Sequence, residues 1–270
     1  MTLQAPESPD SSPTTWPLDG RLALITVGSS SGGPLLGDGW PEAVAGALAG
    51  AGADVAVAGP DGPATEPALD AVRASGRRAI AIRGNLESES EIATALASAT
   101  RGRTGLHVLV NAPRAEFFAP ASETSAADWD AVQRNVVRPT FIWCREAGRL
   151  MSTQGGGSIV NIIGGLARRG MINASAFAAS QAAIEALTRS LALEWARNGV
   201  RVNAIGASWF ESSRRSLEEQ RKERPVRYLP LRRKGHPNDA AALALYLASD
   251  ASAFVTGETI YVDGGAMAHA

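Results

Sequence analysis

Residues 155–165, Gly-Gly-Gly-Ser-Ile-Val-Asn-Ile-Ile-Gly-Gly, carry the strongest indication of how this chain folds. The apolar run from Ser158 to Ile163 has glycines on both sides, which is typical of a strand buried on both faces. Helical patterns flank it over residues 126–151 and 174–197. A buried strand between two helices is the unit of a parallel sheet, so this stretch predicts an α/β fold.

The same alternation continues over most of the chain. Further strands are predicted at 22–26, 54–58, 78–82, 107–111, 200–205 and 259–262, and further helices at 41–51, 88–99 and 238–248. Ser88 and Glu91 have the spacing of a capping box. The charged segment 211–224 is expected to be mobile. The pattern predicts a Rossmann-like, doubly wound parallel sheet of about seven strands, with helices on both faces and the ligand site at the carboxyl ends of the strands.

Composition indicates a globular chain with one main domain. Of the 270 residues, 45% are apolar and 20% are charged, which suffices for a sizeable core over residues 20–270. Residues 1–19 are rich in Pro, Ser and Thr and predict a flexible arm. The net charge of −1 provides no broad field for nucleic acid. No apolar run approaches the roughly 20 residues that span a bilayer, so we expect a cytoplasmic protein without membrane contact.

Cysteine and histidine usage argues against metal or disulfide chemistry. The single Cys144 lies in a helical pattern and is expected to be a packed apolar thiol. His107, His236 and His269 have no ligand spacing, so no metal site is predicted. Arginine is the usual cation, since Lys222 is one of two lysines in the chain. Together with abundant alanine and glycine, this suggests a bacterial genome of high GC content.

Five motifs, in order and at matching spacing, resemble those of short-chain dehydrogenase/reductases over about residues 20–265. They are Ala23-Leu24-Ile25-Thr26 before a Gly-rich turn, Val110-Asn111-Ala112, Gly157-Ser158-Ile159-Val160-Asn161-Ile162, the stretch 183–203, and Val255-Thr256-Gly257 with Val262-Asp263-Gly264-Gly265. The resemblance implies a nicotinamide cofactor and a catalytic set of asparagine, serine, tyrosine and lysine.

All four catalytic positions of that family are expected to be substituted here. The resemblance places the asparagine on Val136, the serine on Gly164, the tyrosine on Phe177 and the lysine on Gln181. Asn135 lies one residue early, which on a helix turns the side chain by about 100 degrees. A phenyl ring has no ionisable proton, so Phe177 cannot act as a general acid or base.

The resemblance also places the cofactor loop, and this loop departs from the family pattern. Residues 29–38 suggest an insertion of roughly seven residues after Gly28, in the turn whose amides would cradle pyrophosphate. Gly28, Gly32, Gly39 and Asn111 are the predicted nucleotide contacts if a nucleotide is retained. Otherwise the longer loop fills the cleft. We expect no cofactor, with NAD(P) as the alternative.

Polar groups at the strand ends and in the lid are the candidates to replace the lost chemistry. By family geometry they are Asn111, Arg114, Glu116, Arg168, Asn173, Ser175, Ser208, Trp209, Glu211 and Tyr228. Ser175, Tyr228 and the two acids Glu116 and Glu211 are the predicted catalytic residues. Each is also a residue type that commonly serves as a surface or capping group.

Three functions are consistent with this sequence. The first is a non-redox step on a small molecule, such as cyclisation, dehydration or isomerisation, in bacterial specialised metabolism. The second is a catalytically silent subunit of an active dehydrogenase of the same family. The third is an NAD(P)-dependent oxidoreductase that uses substitute residues. The resemblance further implies a homodimer or homotetramer, assembled through helices 126–151 and 174–197 and the strand near Val262.

Overall fold

The computed structural model describes residues 16–28, 39–60, 62, 65–84, 86–112, 116–211 and 216–268. One parallel sheet organises them, with strand order β3-β2-β1-β4-β5-β6-β7. The strands are β1 (Leu22–Val27), β2 (Asp54–Gly59), β3 (Ala79–Arg83), β4 (Val108–Ala112), β5 (Gly157–Gly164), β6 (Val200–Ala207) and β7 (Thr259–Val262). The predicted doubly wound, Rossmann-like fold is therefore confirmed.

Helices cover both faces of the sheet. They are α1 (Trp40–Gly50), α2 (Glu66–Ala74), α3 (Glu89–Thr100), α4 (Ala126–Gln154), α5 (Ser175–Trp195), α6 (Leu217–Arg221), α7 (Arg224–Tyr228) and α8 (Pro237–Ala248). Side chains alternate along each strand, so Ile25 packs toward α1, α2 and α8 while Leu24 packs toward α3, α4 and α5. Within the described ranges, no helix is both long and apolar enough to cross a membrane.

Three helices, α2, α6 and α7, were missed in the sequence. Helix α2 begins beside Pro67 and buries Leu69 and Val72 on one face, a short apolar spacing that the prediction overlooked. Helix α6 lies inside the segment predicted to be mobile. Its start is fixed because the Ser216 hydroxyl accepts a hydrogen bond from the Glu219 N–H while the Glu219 carboxylate accepts from the Ser216 N–H.

The domain begins earlier than the predicted boundary at residue 20. Leu18 is fully buried, and its N–H donates to the Ala51 carbonyl at 2.7 Å. The Trp16 ring meets the Tyr246 ring edge-on at 5.5 Å between centroids. Residues 16–19 are therefore packed rather than part of a flexible arm, because burial of two large apolar side chains stabilises them. Residues 1–15 lie outside the described residues.

The long helices α4 and α5 pack closely and support the end of β5. Gly148 makes this approach feasible, since a Cβ there would lie 2.4 Å from the Trp195 ring. Ser125 caps the start of α4 in a capping box with Asp128. The packing places Val136 of α4 against Ile163 of β5 in one buried cluster. Val136 is therefore held near the end of β5 by the framework itself.

Candidate active site

A crevice opens at the carboxyl edge of the sheet near the switch point, where β1 lies between β2 and β4 and the chain crosses over from β3 to β4. It is lined by Thr26, Val27, Gly28, Ala58, Gly59, Pro60, Leu86, Glu87, Asn135, Pro139, Thr140 and Trp143. Ligands of doubly wound sheets bind at this switch point. Asn135 faces the crevice while Val136 is buried among apolar side chains, as the helical rotation of one residue requires.

A larger cavity, of about 640 Å³, lies at the opposite, amino edge of the sheet. It is lined by Arg21, His107, Arg201 and other polar residues whose groups are largely held by the protein: Arg201 donates to the Leu247 and Ser249 carbonyls, and His107 accepts from the Leu22 N–H. Burial lowers the pKa of both Arg201 and His107. Because ligands in such folds sit at the carboxyl ends, the carboxyl edge is the candidate site.

Gln181 lies on α5 and is hydrogen-bonded to the end of β5. Its side-chain oxygen accepts a hydrogen bond from the Gly164 N–H at 2.7 Å, and its side-chain nitrogen donates to the Ser180 hydroxyl at 3.1 Å. Only 2% of the residue is exposed. A lysine could not make the first of these bonds, because an ammonium group has no acceptor. The amide at this position therefore satisfies a backbone donor that a cation would leave unpaired.

Phe177 lies beside Gln181 and is sealed in an apolar cluster. It packs with Leu166 and Ala174, and Met171, Ala178 and Trp209 cover this group. The Phe118 ring lies 5.9 Å from the Phe177 ring, centroid to centroid. These neighbours are largely hydrocarbon, so the surroundings suit the Phe177 phenyl ring.

Asn111 takes part in a buried polar network across the sheet. Its side-chain nitrogen donates to Asn161 at 3.0 Å and to the Cys144 sulfur at 3.2 Å, and its oxygen accepts from Thr26 at 3.3 Å. Asn161 in turn donates to Thr188 at 3.0 Å. The Asn111 side chain is thus engaged inside the protein, and its contact with a nucleotide stays a prediction.

Cys144 is a packed, buried thiol, as expected from the sequence. Cys144 is fully buried, and burial raises its pKa to about 12. Hydrogen bonds to Asn161 and Asn111 act in the opposite direction without offsetting burial. The thiol is therefore protonated at neutral pH, which excludes it as a nucleophile there.

Glu211 is held in a partly buried cluster with Lys234. The Lys234 ammonium lies 3.0 Å from the Glu211 carboxylate and 2.7 Å from that of Glu223. Burial lowers the pKa of Lys234, but the hydrogen bonds to Glu223 and Glu211 outweigh it, so the pKa is raised. The sequence reading missed this cluster because nothing local links residues 211, 223 and 234.

The other predicted catalytic residues lie on three different elements. Both carboxylate oxygens of Glu116 are shielded from solvent in the loop after β4. Ser175 is exposed at the first turn of α5. Tyr228, at the end of α7, meets the Trp209 ring edge-on at 6.4 Å. Trp209 also packs against the Phe177 cluster, so Trp209 links Tyr228 to Phe177 in one group of aromatic side chains.

The predicted nucleotide contacts are only partly described. Gly32 and the loop from Ser29 to Asp38 lie outside the described residues, as do Arg114 and Asp61. Gly28 lines the crevice, and Gly39 precedes α1 in the left-handed conformation, with φ of 83°. Strand β2 ends in Gly59, where a Cβ would lie 2.8 Å from the Val27 carbonyl oxygen. The close approach of β1 and β2 therefore excludes an acidic or basic side chain at position 59.

Two side chains at the end of β5 do not offer the groups that would hold a nicotinamide and its ribose. At the end of β5, where the ring and its ribose would meet a cation and a hydroxyl, Gln181 is engaged by Gly164 and Phe177 is apolar. No step through NAD(P) can be derived from these groups.

Comparison with known proteins identifies the family. The model for enoyl-(acyl carrier protein) reductases matches residues 38–267. A D-threitol dehydrogenase of Mycolicibacterium smegmatis is 33% identical over 253 residues, covering 92% of this chain and 93% of its own length. A putative short-chain alcohol dehydrogenase of Sinorhizobium meliloti superposes with a TM-score of 0.81 at 32% identity, covering 94% of this chain and 99% of its own.

A xylitol dehydrogenase solved with bound NAD+ superposes with a TM-score of 0.79 at 28% identity, covering 92% of this chain and 99% of its own. The chain belongs to the short-chain dehydrogenase/reductase superfamily, as the motifs indicated.

Proposed function

We propose that this chain catalyses a non-redox step on an apolar small molecule, such as cyclisation, dehydration or isomerisation, in bacterial specialised metabolism. The proposal includes the assignment of Val136, Gly164, Phe177 and Gln181 to the four catalytic positions of the family. The observation that carries it is the hydrogen bond from the Gly164 N–H to the Gln181 oxygen, beside the sealed Phe177 ring. This hydrogen bond gives two of the four positions, Gly164 and Gln181, a structural role.

The absence of a tyrosine hydroxyl and a lysine ammonium at positions 177 and 181 argues against carbonyl reduction by the mechanism usual in the family. A phenyl ring transfers no proton, and a neutral amide supplies no positive charge to lower the pKa of a neighbouring hydroxyl. Removal of one general acid typically costs about 10²–10⁴ in rate. Positioning of a bound molecule can by itself contribute about 7–11 kcal/mol, which makes a step governed by orientation feasible in an aromatic pocket.

Proton transfer in this proposal falls to the carboxyl groups of Glu116 and Glu211, with Tyr228 and Ser175 orienting the substrate. Glu116 has its carboxylate away from bulk water, and Glu211 is fixed by Lys234. Both features restrict a carboxyl group to one geometry, which general acid–base catalysis requires. No nucleotide takes part in this proposed step.

The test restores the family residues. The triple variant Gly164→Ser, Phe177→Tyr and Gln181→Lys is sterically acceptable at position 164, where a Cβ lies 3.4 Å from the Phe177 ring. We expect little ketone reduction with NADH or NADPH, because lysine removes the acceptor of the Gly164 N–H. Gly164→Ser alone is the matched control. Turnover by the unmodified protein would contradict the proposal, and brisk turnover in the triple variant would show an intact cofactor cleft.

An NAD(P)-dependent oxidoreductase with substitute residues is the second candidate. It is supported by the relatives, which are named as dehydrogenases, and by the neighbour solved with NAD+. It needs a nucleotide site formed in part by residues 29–38. Saturable binding of NAD(P)H would favour it.

We also propose that the chain assembles as a homodimer or homotetramer. Three large apolar side chains on the outer faces of α4 and α5 are exposed, namely Trp129 (40%), Phe141 (40%) and Leu193 (82%). Burial of such side chains in an interface is favourable. The same surface would serve a silent subunit beside an active family member. Sedimentation velocity of the purified chain tests this, and a monomer at micromolar concentration would contradict self-assembly.

A further inference from the structure

Arg169 is a cation without a carboxylate partner among the described residues. One of its terminal nitrogens donates to the Ala266 carbonyl at 2.9 Å, and its guanidinium lies 4.4 Å above the centre of the Tyr228 ring. No described Asp or Glu lies within ion-pair distance of it. Its neighbour Arg168 differs, since it forms an ion pair with Glu185. The Arg169 guanidinium is thus held at one edge by this hydrogen bond and at one face by the Tyr228 ring. Its other N–H groups remain available to a ligand.

The ring beneath Arg169 is part of the aromatic surface that reaches Phe177. Tyr228 contacts Trp209 at 6.4 Å between ring centroids, and Trp209 covers the Phe177 cluster. Trp209 and Leu231 line a cavity of about 270 Å³ next to this surface. In that cavity Arg233 pairs with Asp239, and the Asp263 carboxylate accepts hydrogen bonds from the Gly265 and Met267 N–H groups.

Exposed apolar side chains surround this surface. Ile172, in the turn before α5, is 87% exposed, and Leu231, after α7, is 65% exposed. Phe118, which contacts Phe177, is 37% exposed. Large apolar side chains left open next to polar groups are typical of binding sites.

We propose that this surface binds an apolar organic carboxylate. Its carboxylate would pair with the free edge of the Arg169 guanidinium, and its hydrocarbon part would lie along Tyr228 and Trp209 toward Phe177. A guanidinium held in one plane is suited to bidentate pairing with a planar carboxylate. This proposal rests on the proposed function and names the substrate class of the same site.

Binding of matched probes to the full chain tests the proposal. The probes are 2-naphthoate with 2-naphthamide and decanoate with decanamide, each pair equal in hydrocarbon and different in charge. Titration followed by saturation-transfer NMR gives a dissociation constant for each. We expect the carboxylates to bind about tenfold or more tightly than the amides, and Arg169→Gln to abolish that preference.

Two further variants keep the test informative. Arg168→Gln removes the adjacent guanidinium, which already has a carboxylate partner, so the preference for carboxylates should persist. Arg169→Lys retains the charge without the planar fork and should reduce the preference in part, which also covers the case in which Arg169→Gln does not fold.

Equal binding of amides and carboxylates, an unchanged preference in Arg169→Gln, or no binding by any probe would each overturn the carboxylate assignment. Ketone reduction by the unmodified protein would overturn the proposed non-redox function alone, because carboxylate binding is measured without turnover.

Discussion

Gln181 has a structural role, because its side-chain amide ties α5 to the end of β5. An amide offers both a donor and an acceptor, and here the acceptor meets the buried Gly164 N–H while the donor meets Ser180. Lysine offers donors alone, so the site and its backbone are adapted to each other. The sequence predicts that Gln181 replaces the family lysine, but only the fold reveals its hydrogen-bond partner 17 residues away.

Replacing Gln181 with Met tests this hydrogen bond. Methionine fits a similar volume but accepts poorly, so the buried Gly164 N–H loses its partner and unfolding free energy should fall by about 1–3 kcal/mol. Gln133→Met is the matched control, since the Gln133 amide donates a longer bond of 3.2 Å to the Ala176 carbonyl at a less buried place. Urea denaturation measures both, and equal stability of the two variants would contradict the structural role.

Cys144 leads to a prediction about reactivity. Because burial raises the pKa of its thiol to about 12, the folded protein should resist alkylation at pH 8. The thiol should react fully once the chain is unfolded in denaturant. Labelling with iodoacetamide followed by mass spectrometry measures this, and rapid labelling of the native protein would show that the Asn111 and Asn161 network is open.

At the level of elements, periodicity identified the strands and the long helices well. Apolar runs between helices are a local signal, and the capping box at Ser88 and Glu91 is present as predicted. The short helices α2, α6 and α7 were missed, since each has only one or two buried turns. Contacts between distant residues, such as Lys234 with Glu211, lie beyond any local pattern.

The amino-terminal boundary gives a prediction at this scale. Deletion of residues 1–15 should leave the melting temperature unchanged, because the described packing begins at Trp16. Leu18→Ala should destabilise by about 2–5 kcal/mol, since Leu18 is fully buried in the cluster beneath α1. Thermal unfolding of both variants measures this. A marked loss on deletion would mean that residues before Trp16 also pack.

For the whole molecule, the scaffold is that of the family over nearly the full length of the chain. The sheet order, the helix layers and the family motifs are retained from end to end, as superposition on relatives shows. At the carboxyl edge, β2 ends in a glycine where a Cβ would meet the Val27 carbonyl oxygen, and β5 ends against an amide and a phenyl ring. The fold was therefore predictable from the sequence, whereas the arrangement of Arg169, Tyr228 and Trp209 depends on how distant loops meet.

The central claim is that this scaffold works without a nicotinamide cofactor, and calorimetric titration of the purified protein with NADH and NADPH tests it most directly. The account predicts no saturable binding up to millimolar nucleotide, because Gln181, Phe177 and the end of β2 offer no group for the ribose or the ring. Micromolar binding of either nucleotide would contradict it and would favour the oxidoreductase alternative.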